Sequence, residues 1–486
     1  MSTAVKQQSP KAVWHHFAAL NAVPRPSKKE ERVIAFMMDF GKRLGLDTCK
    51  DSVGNVIIRK PASQDMVGCK VITLQSHLDM VHQKNADTVF NFDEQGIDMY
   101  VDGDWVKAKG TTLGADNGLG VATIMALLES TDIPHPPLEA LFTIDEETGM
   151  TGAMGLEAEV LQGEILLNLD TEEDDELDIG CAGGIDVTAK GLYSAKPVAK
   201  QVKALKLTVK GLKGGHSGIE IHKGLGNANK ILARLLHKAY TLYAIQLSSM
   251  DGGSLRNAIP REAFSVFTVQ DTKVEAIKAD LKQWSSEIAQ ELAFVDADVR
   301  FEVEEVVIPS TVMLDEDTEK LLKVLYVAHN GVFSMSAAMD NLVETSNNVA
   351  RVAVAEGKIH IGCLTRSSVE TGKMNLAEQL KATFSLAGYD VSFSGAYPGW
   401  NPNPNSEILE LAKSKYISLF NEEPKVVACH AGLECGILGK NYPNMDMISF
   451  GPTILGAHSP DERVSISSVQ KFWRFLLAIL KDCPKA

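Results

Sequence analysis

The sequence predicts an α/β fold with a largely parallel sheet flanked by helices, into which a second, α+β domain is inserted. Three observations carry this expectation. Short apolar runs alternate with helical periodicity over residues 70–169; amphipathic strands and longer polar helices take over beyond Gly184; and the first texture returns after the Pro-, Gly- and Asn-rich stretch Gly395–Asn405. With 486 residues the chain exceeds one compact core. The expected domains are therefore 1–185 with 397–486, and 186–396 between them.

The elements follow in order. Ser27 and Glu30 have the spacing of a capping box, and Val33, Phe36, Met37, Phe40 and Leu44 repeat at helical spacing, so an amphipathic helix is expected to open the fold. Apolar runs at Lys70–Gln75, Leu138–Ile144 and Glu164–Leu169, with a helix at Leu119–Glu129, predict parallel strands joined by a crossover. In the insertion, Val202–Lys210, Ala263–Val269, Val299–Val306, Lys358–Leu364 and Val391–Ser394 read as strands. Asn227–Tyr240, Val274–Leu292 and Met374–Ala387 read as helices, which makes two related halves plausible. Ser406–Phe420 then reads as a helix and Met445–Phe450 as a buried strand of the first domain.

Charge and cysteine usage exclude several classes. A net charge of −15 repels polyanions, so no nucleic-acid partner is expected. Seven scattered cysteines do not form a secreted disulfide framework and fit a reducing cytoplasm. Residues 1–10 lack the apolar core of a signal peptide, and no window nears the ~18 apolar residues of a membrane helix; neither export nor membrane insertion is expected.

Chemistry gathers at the strand ends, where ligand sites of α/β sheets lie. The first strand runs into His77-Leu78-Asp79, whose extended spacing lets Asp79 accept the other ring N–H of His77. A structural pairing would use the same geometry. Gly114-Ala115-Asp116-Asn117-Gly118 precedes a helix, so Asp116 reads either as an N-cap or as a carboxylate bridging two cations, with the glycines letting backbone approach an ion. The next two strand ends lead to Asp145-Glu146-Glu147 and to Asp170; Glu172–Glu176 is set aside as solvated surface. His458 follows the last strand and, taken alone, reads as a loop histidine. With the others it completes a set of two histidines and three carboxylates suited to zinc, or to manganese or cobalt.

These segments resemble the signature of the dinuclear zinc aminopeptidase, aminoacylase and carboxypeptidase superfamily. Asn168–Glu173, Gly180–Gly184, Gly215-His216-Ser217-Gly218 and His430–Gly436 resemble its bacterial Xaa-His dipeptidases in particular. The resemblance implies a zinc-peptidase catalytic domain with a mixed, largely parallel sheet, and a lid and dimerisation domain at 186–396. It implies that His77 and Asp170 hold one zinc ion, Glu147 and His458 a second, and that Asp116 bridges them. Asp79 would orient His77, and Glu146, beside a ligand but not itself one, would be the general base.

For substrate recognition the resemblance implies His216, a donor to the tetrahedral oxyanion that reaches a neighbouring subunit's site, together with Asn257, Arg366 and, against the substrate, Gly432. From residues alone these also read as a turn around His216, a turn before Pro260 and a surface ion pair at Arg366. His430 and Glu434 match no zinc spacing and are assigned to a pocket-lining loop. The expected enzyme is a cytoplasmic homodimer that hydrolyses unblocked dipeptides, β-alanyl-histidine among them. An aminoacylase, deacetylase or tripeptidase using the same metals, or a catalytically idle scaffold, is the alternative. A nucleotide-binding enzyme is disfavoured because no P-loop ending and no strand-embedded Gly-x-Gly-x-x-Gly occurs.

Overall fold

A computed structural model describes residues 3–486. The chain divides into two compact units. One runs through Gly180 and resumes at Pro402–Ala428 and Leu433–Ala486; the other comprises Cys181–Asn401 and Cys429–Gly432.

The first unit is built on a mixed sheet. Its centre is four parallel strands in the order Leu138–Thr143, Ile72–His77, Ile165–Asn168, Asp446–Ser449. Both faces are covered: every residue of Ile72–His77, Leu138–Thr143 and Ile165–Asn168 is buried, so burial does not alternate along them. Antiparallel strands missed by the sequence reading extend the sheet: Val56–Lys60 and Asp47–Lys50 on one side, Glu176–Cys181 on the other. The helix Ala115–Glu129 is buried almost all round, packed against the central sheet and against Lys11–Leu20. That second helix and the short Thr3–Lys6 precede the one expected to open the fold.

The expected capping box does not form. The helix Glu31–Arg43 starts without a side-chain cap. Instead, the Ser27 hydroxyl donates to the carbonyl of Met80, and a Glu30 oxygen accepts from the Lys28 backbone N–H. Tertiary partners on the strand-end loop took the hydroxyl that local spacing had assigned to the helix.

The second unit contains two halves of the same order, strand–helix–strand–strand–helix–strand, joined edge to edge through Gln246–Gly252 and Val343–Ala355. One nine-stranded antiparallel sheet runs through it in the order Arg300–Val306, Val202–Lys210, Ala263–Gln270, Gln246–Gly252, Val343–Ala355, Lys358–Ser367, Gly183–Leu192, Asp390–Tyr397, with Gly331–Met335 also paired to Val343–Ala355. The helices Ala228–Tyr243, Val274–Glu291, Asp315–Val327 and Glu370–Ser385 pack against its apolar face. Among the described residues no helix is long and apolar enough to cross a membrane.

Lys230 closes the C-terminus of Asp315–Val327, donating to the carbonyls of Leu325, Tyr326 and Ala328 at 2.5–3.0 Å. Burial pulls this amine down to about 8. Between that value and 10.5 the folded chain binds fewer protons than the unfolded one, so this group makes stability rise with pH through the window, by at most about 1.4 kcal/mol per pH unit. Lys230→Met is expected to remove that rise. Urea unfolding of both proteins at pH 8 and pH 10 measures it.

Candidate metal centre

The central parallel strands end on one edge, and the carboxyl ends deliver the predicted donors there. Asp116 stands at the middle. Its Oδ1 is 3.1 Å from His77 Nε2 and its Oδ2 is 3.1 Å from His458 Nε2. Asp170 Oδ1 lies 3.4 Å from His77 Nε2, and Glu147 Oε2 lies 2.9 Å from His458 Nε2. Donor atoms of His77, Asp116 and Asp170 fall within 4.8 Å of one another, as do those of Asp116, Glu147 and His458. The two groups share Asp116, one oxygen each.

The donor set fits two divalent cations. Imidazoles and carboxylates in this ratio suit zinc, manganese or cobalt. Glu147 Oε1 is buried and has no hydrogen-bond partner, although its other oxygen faces His458. A lone pair left idle in the interior is costly unless something binds it. The surrounding carboxylates also push the His458 imidazole up to about 11, chiefly because Asp116 and Glu147 accept hydrogen bonds from its ring, and raise His77 well above its ordinary range against its burial. The site thus favours positive charge.

The helix-cap alternative for Asp116 is set aside by geometry. The helix is capped at Gly114 without a side-chain bond, and Asp116 has φ −79° and ψ 111°, outside helical space, turning its carboxylate to the two histidines. The neighbouring glycines do not face that carboxylate. A Cβ on Gly114 or on Gly118 would meet the Arg25 guanidinium at 2.6 Å, so they make room for a buried side chain. Asn117 donates to the Leu169 carbonyl at 2.7 Å and to Asp170, fixing that carboxylate.

Asp79 is fully buried beside His77, whose Nδ1 lies 3.3 Å from Asp79 Oδ1 and 3.2 Å from its carbonyl oxygen. It also accepts from the backbone N–H groups of Glu146 and Glu147 at 3.1 and 3.3 Å, joining the ends of the neighbouring strands Ile72–His77 and Leu138–Thr143. Burial pushes the Glu146 carboxyl well above the ordinary range; Asp170, Glu434 and Glu147 add to this while His77 opposes it. A carboxylate with raised proton affinity beside a metal site is equipped to take a proton.

Two acids missed by the sequence reading lie near. Glu172, assigned to solvated surface, is half-buried and pushed up to about 8, by burial first and then by Asp116 and Asp170. Three of the other four acids of that run do ion-pair: Asp174 with Lys471, and Asp175 and Glu176 with Lys425. Glu434, assigned to a pocket-lining loop, is fully buried and accepts from Gln75 and Thr143, both at 2.6 Å, behind the strand ends. Nothing in the run Glu172–Glu176 distinguished its first member, because the distinction is set by the fold.

The predicted recognition residues lie in the second unit. His216 accepts at Nδ1 from the N–H groups of Gly218 and Ile219, which leaves its proton on Nε2, and burial with Arg366 nearby pulls it down to about 4. It is a neutral donor at pH 7. Arg366 is buried, donates to the Tyr397 hydroxyl at 2.8 Å and leaves Nε without a partner. Asn257 is exposed and its carbonyl accepts from the Ser217 N–H, tying its turn to that of His216. His430 bonds the Ser346 hydroxyl at 2.8 Å, and Gly432 is half-buried in the short return Cys429–Gly432.

The model of peptidase family M20/M25/M40 matches residues 73–482, a span that holds every donor above. The chain belongs to that family of metallopeptidases. Within it, the chain is 43% identical over 480 residues, 99% of either chain, to the cytosol non-specific dipeptidase of Escherichia coli. It also superposes on the aminoacylhistidine dipeptidase of Vibrio alginolyticus with a TM-score of 0.94 and 42% identity, covering 99% of this chain and 98% of that one. The aminopeptidase PepT of Bacillus cereus shares the fold alone, at a TM-score of 0.57 and 16% identity over 98% of each chain.

Proposed function

We propose that this chain is a metal-dependent dipeptidase that hydrolyses Xaa-His and other unblocked dipeptides, including β-alanyl-histidine. Support comes from its two whole-length relatives, a non-specific dipeptidase and an aminoacylhistidine dipeptidase. The observation that carries the chemistry is the carboxylate of Asp116 facing two imidazoles, each with a further carboxylate. His77 and Asp170 are assigned to one zinc ion, Glu147 and His458 to the other, and Asp116 to both; manganese or cobalt could substitute.

Bound there, two divalent cations lower the pKa of water and polarise the scissile carbonyl. Glu146 takes the proton of the attacking water and returns it to the leaving amine. Asp79 keeps His77 in register and holds the Glu146–Glu147 turn through two backbone N–H groups. His216, as a neutral donor, is assigned to the developing oxyanion, and Arg366 to the substrate carboxylate, which its planar fork can pair with. Those two roles, those of Asn257 and Gly432, the assignment of 186–396 as a lid and dimerisation domain, the homodimer and the cytoplasmic location rest on the family resemblance.

A panel of substrates on metal-depleted enzyme reloaded with zinc, manganese or cobalt tests the reading. Histidine release from β-alanyl-histidine and from α-dipeptides is expected, with tripeptides and N-acetyl amino acids left intact. The opposite pattern would move the chain to the tripeptidases or aminoacylases.

A further inference from the structure

Two charged side chains that the reaction does not use are buried on either side of the segment carrying Asp116. Glu462 is 2% exposed, and its carboxylate accepts from four successive backbone N–H groups: Leu113 at 2.6 Å and Gly114 at 2.9 Å on Oε2, Ala115 at 2.7 Å and Asp116 at 3.3 Å on Oε1. Arg25 is 1% exposed and approaches from the opposite side. Its Nη2 donates to the Gly114 carbonyl at 2.6 Å, and its Nη1 to the carbonyls of Leu78 and Asp79, both at 3.0 Å.

The peptide unit joining Gly114 to Ala115 therefore has its carbonyl on the guanidinium and its N–H on the carboxylate. The two charges never touch; one peptide lies between them. Each buried charge is costly without partners: Glu462 takes its partners from the N–H groups of this one loop, and Arg25 from the carbonyls of Gly114, Leu78 and Asp79 and the Asn21 side-chain oxygen, 3.0 Å away. Gly114, at φ +69°, and Gly118 leave the space that Arg25 fills.

We propose that Arg25 and Glu462 are the positioning residues of the metal centre, clamping the 113–116 segment between them so that the Asp116 carboxylate is held in its bridging position before any cation arrives. The contacts reach each half of the site. Arg25 ties the Asp116 loop to the residues directly after His77, and Glu462 ties it to the loop of His458, four residues earlier in the chain. A bridging ligand that is fixed in advance loses no conformational freedom when the second ion binds. The inference rests on the reading of Asp116 as the bridge and adds what holds it there.

Zinc affinities of metal-depleted wild type, Glu462→Gln and Arg25→Lys, measured by competition with a chromophoric chelator, test it. Glu462→Gln puts an amide N–H₂ among the four N–H groups, and Arg25→Lys cannot span three carbonyls. Both are expected to weaken the second zinc ion by ~10–100-fold, with most of kcat recovered at saturating zinc. A folded variant that binds both ions as tightly as wild type overturns the proposal. Hydrogen exchange on wild type needs no variant: the amides of residues 113–116 should be protected equally with and without zinc. Protection that appears only on adding zinc overturns the clamp, whereas wild type that binds fewer than two ions overturns the metal reading beneath it.

Discussion

Glu146→Gln is expected to bind both metal ions and to turn over dipeptide ~10²–10⁴-fold more slowly, the range that loss of a positioned general acid–base group gives. The amide has the shape of the carboxylate but cannot accept the proton of water. Its backbone N–H still reaches Asp79, so the turn that carries Glu147 keeps its support. The loss should fall on kcat, because the group acts on the proton in flight rather than on bound substrate. Metal analysis beside steady-state kinetics reads both halves. Unchanged turnover would refute the base assignment, and loss of metal with turnover would make Glu146 a ligand.

Asp116→Asn should do more damage, by a different route. Two divalent ions ~3.5–4 Å apart repel each other strongly, and the carboxylate between them offsets that repulsion. Without its charge the second ion is expected to leave, so that metal content falls from two ions per chain to one or fewer. Turnover should fall at least as far as in Glu146→Gln. Added zinc should not restore it, in contrast to Glu462→Gln, where the carboxylate is intact and only its support is weakened. Zinc titrations followed by activity separate the two.

Three of the five candidate donors could be read from sequence because they stand at the end of an apolar strand, where side chains must converge once the strands are parallel; Asp116, at the start of a helix, and His458, in a loop, do not. His77, Glu147 and Asp170 follow this rule within a few residues of Thr143, Asn168 and their own strand. The supports of those donors could not be read. Arg25 and Glu462 are isolated charges in loops, and the backbone groups they hold lie 53 to 349 positions away, which no local spacing encodes. The capping box failed for a related reason: Ser27 Oγ had a stronger claim from Met80, 53 residues on. Glu172 was misread because five neighbouring acids look alike until the fold buries one side of the run. In the insertion, strand positions were legible from alternation, whereas their merger into a single sheet depends on pairings such as Gly183–Leu192 with Lys358–Ser367, across more than 160 residues.

The first unit's assembly from separate stretches of chain bears on when the centre can exist during synthesis. Strands Ile72–His77 and Ile165–Asn168 are made early, but the strand beside them, Asp446–Ser449, and His458 come only after the whole of the second unit has been translated. Until then Asp116 has one imidazole partner instead of two, and Glu462 has not arrived to hold its loop. A growing chain therefore carries half a metal site at most.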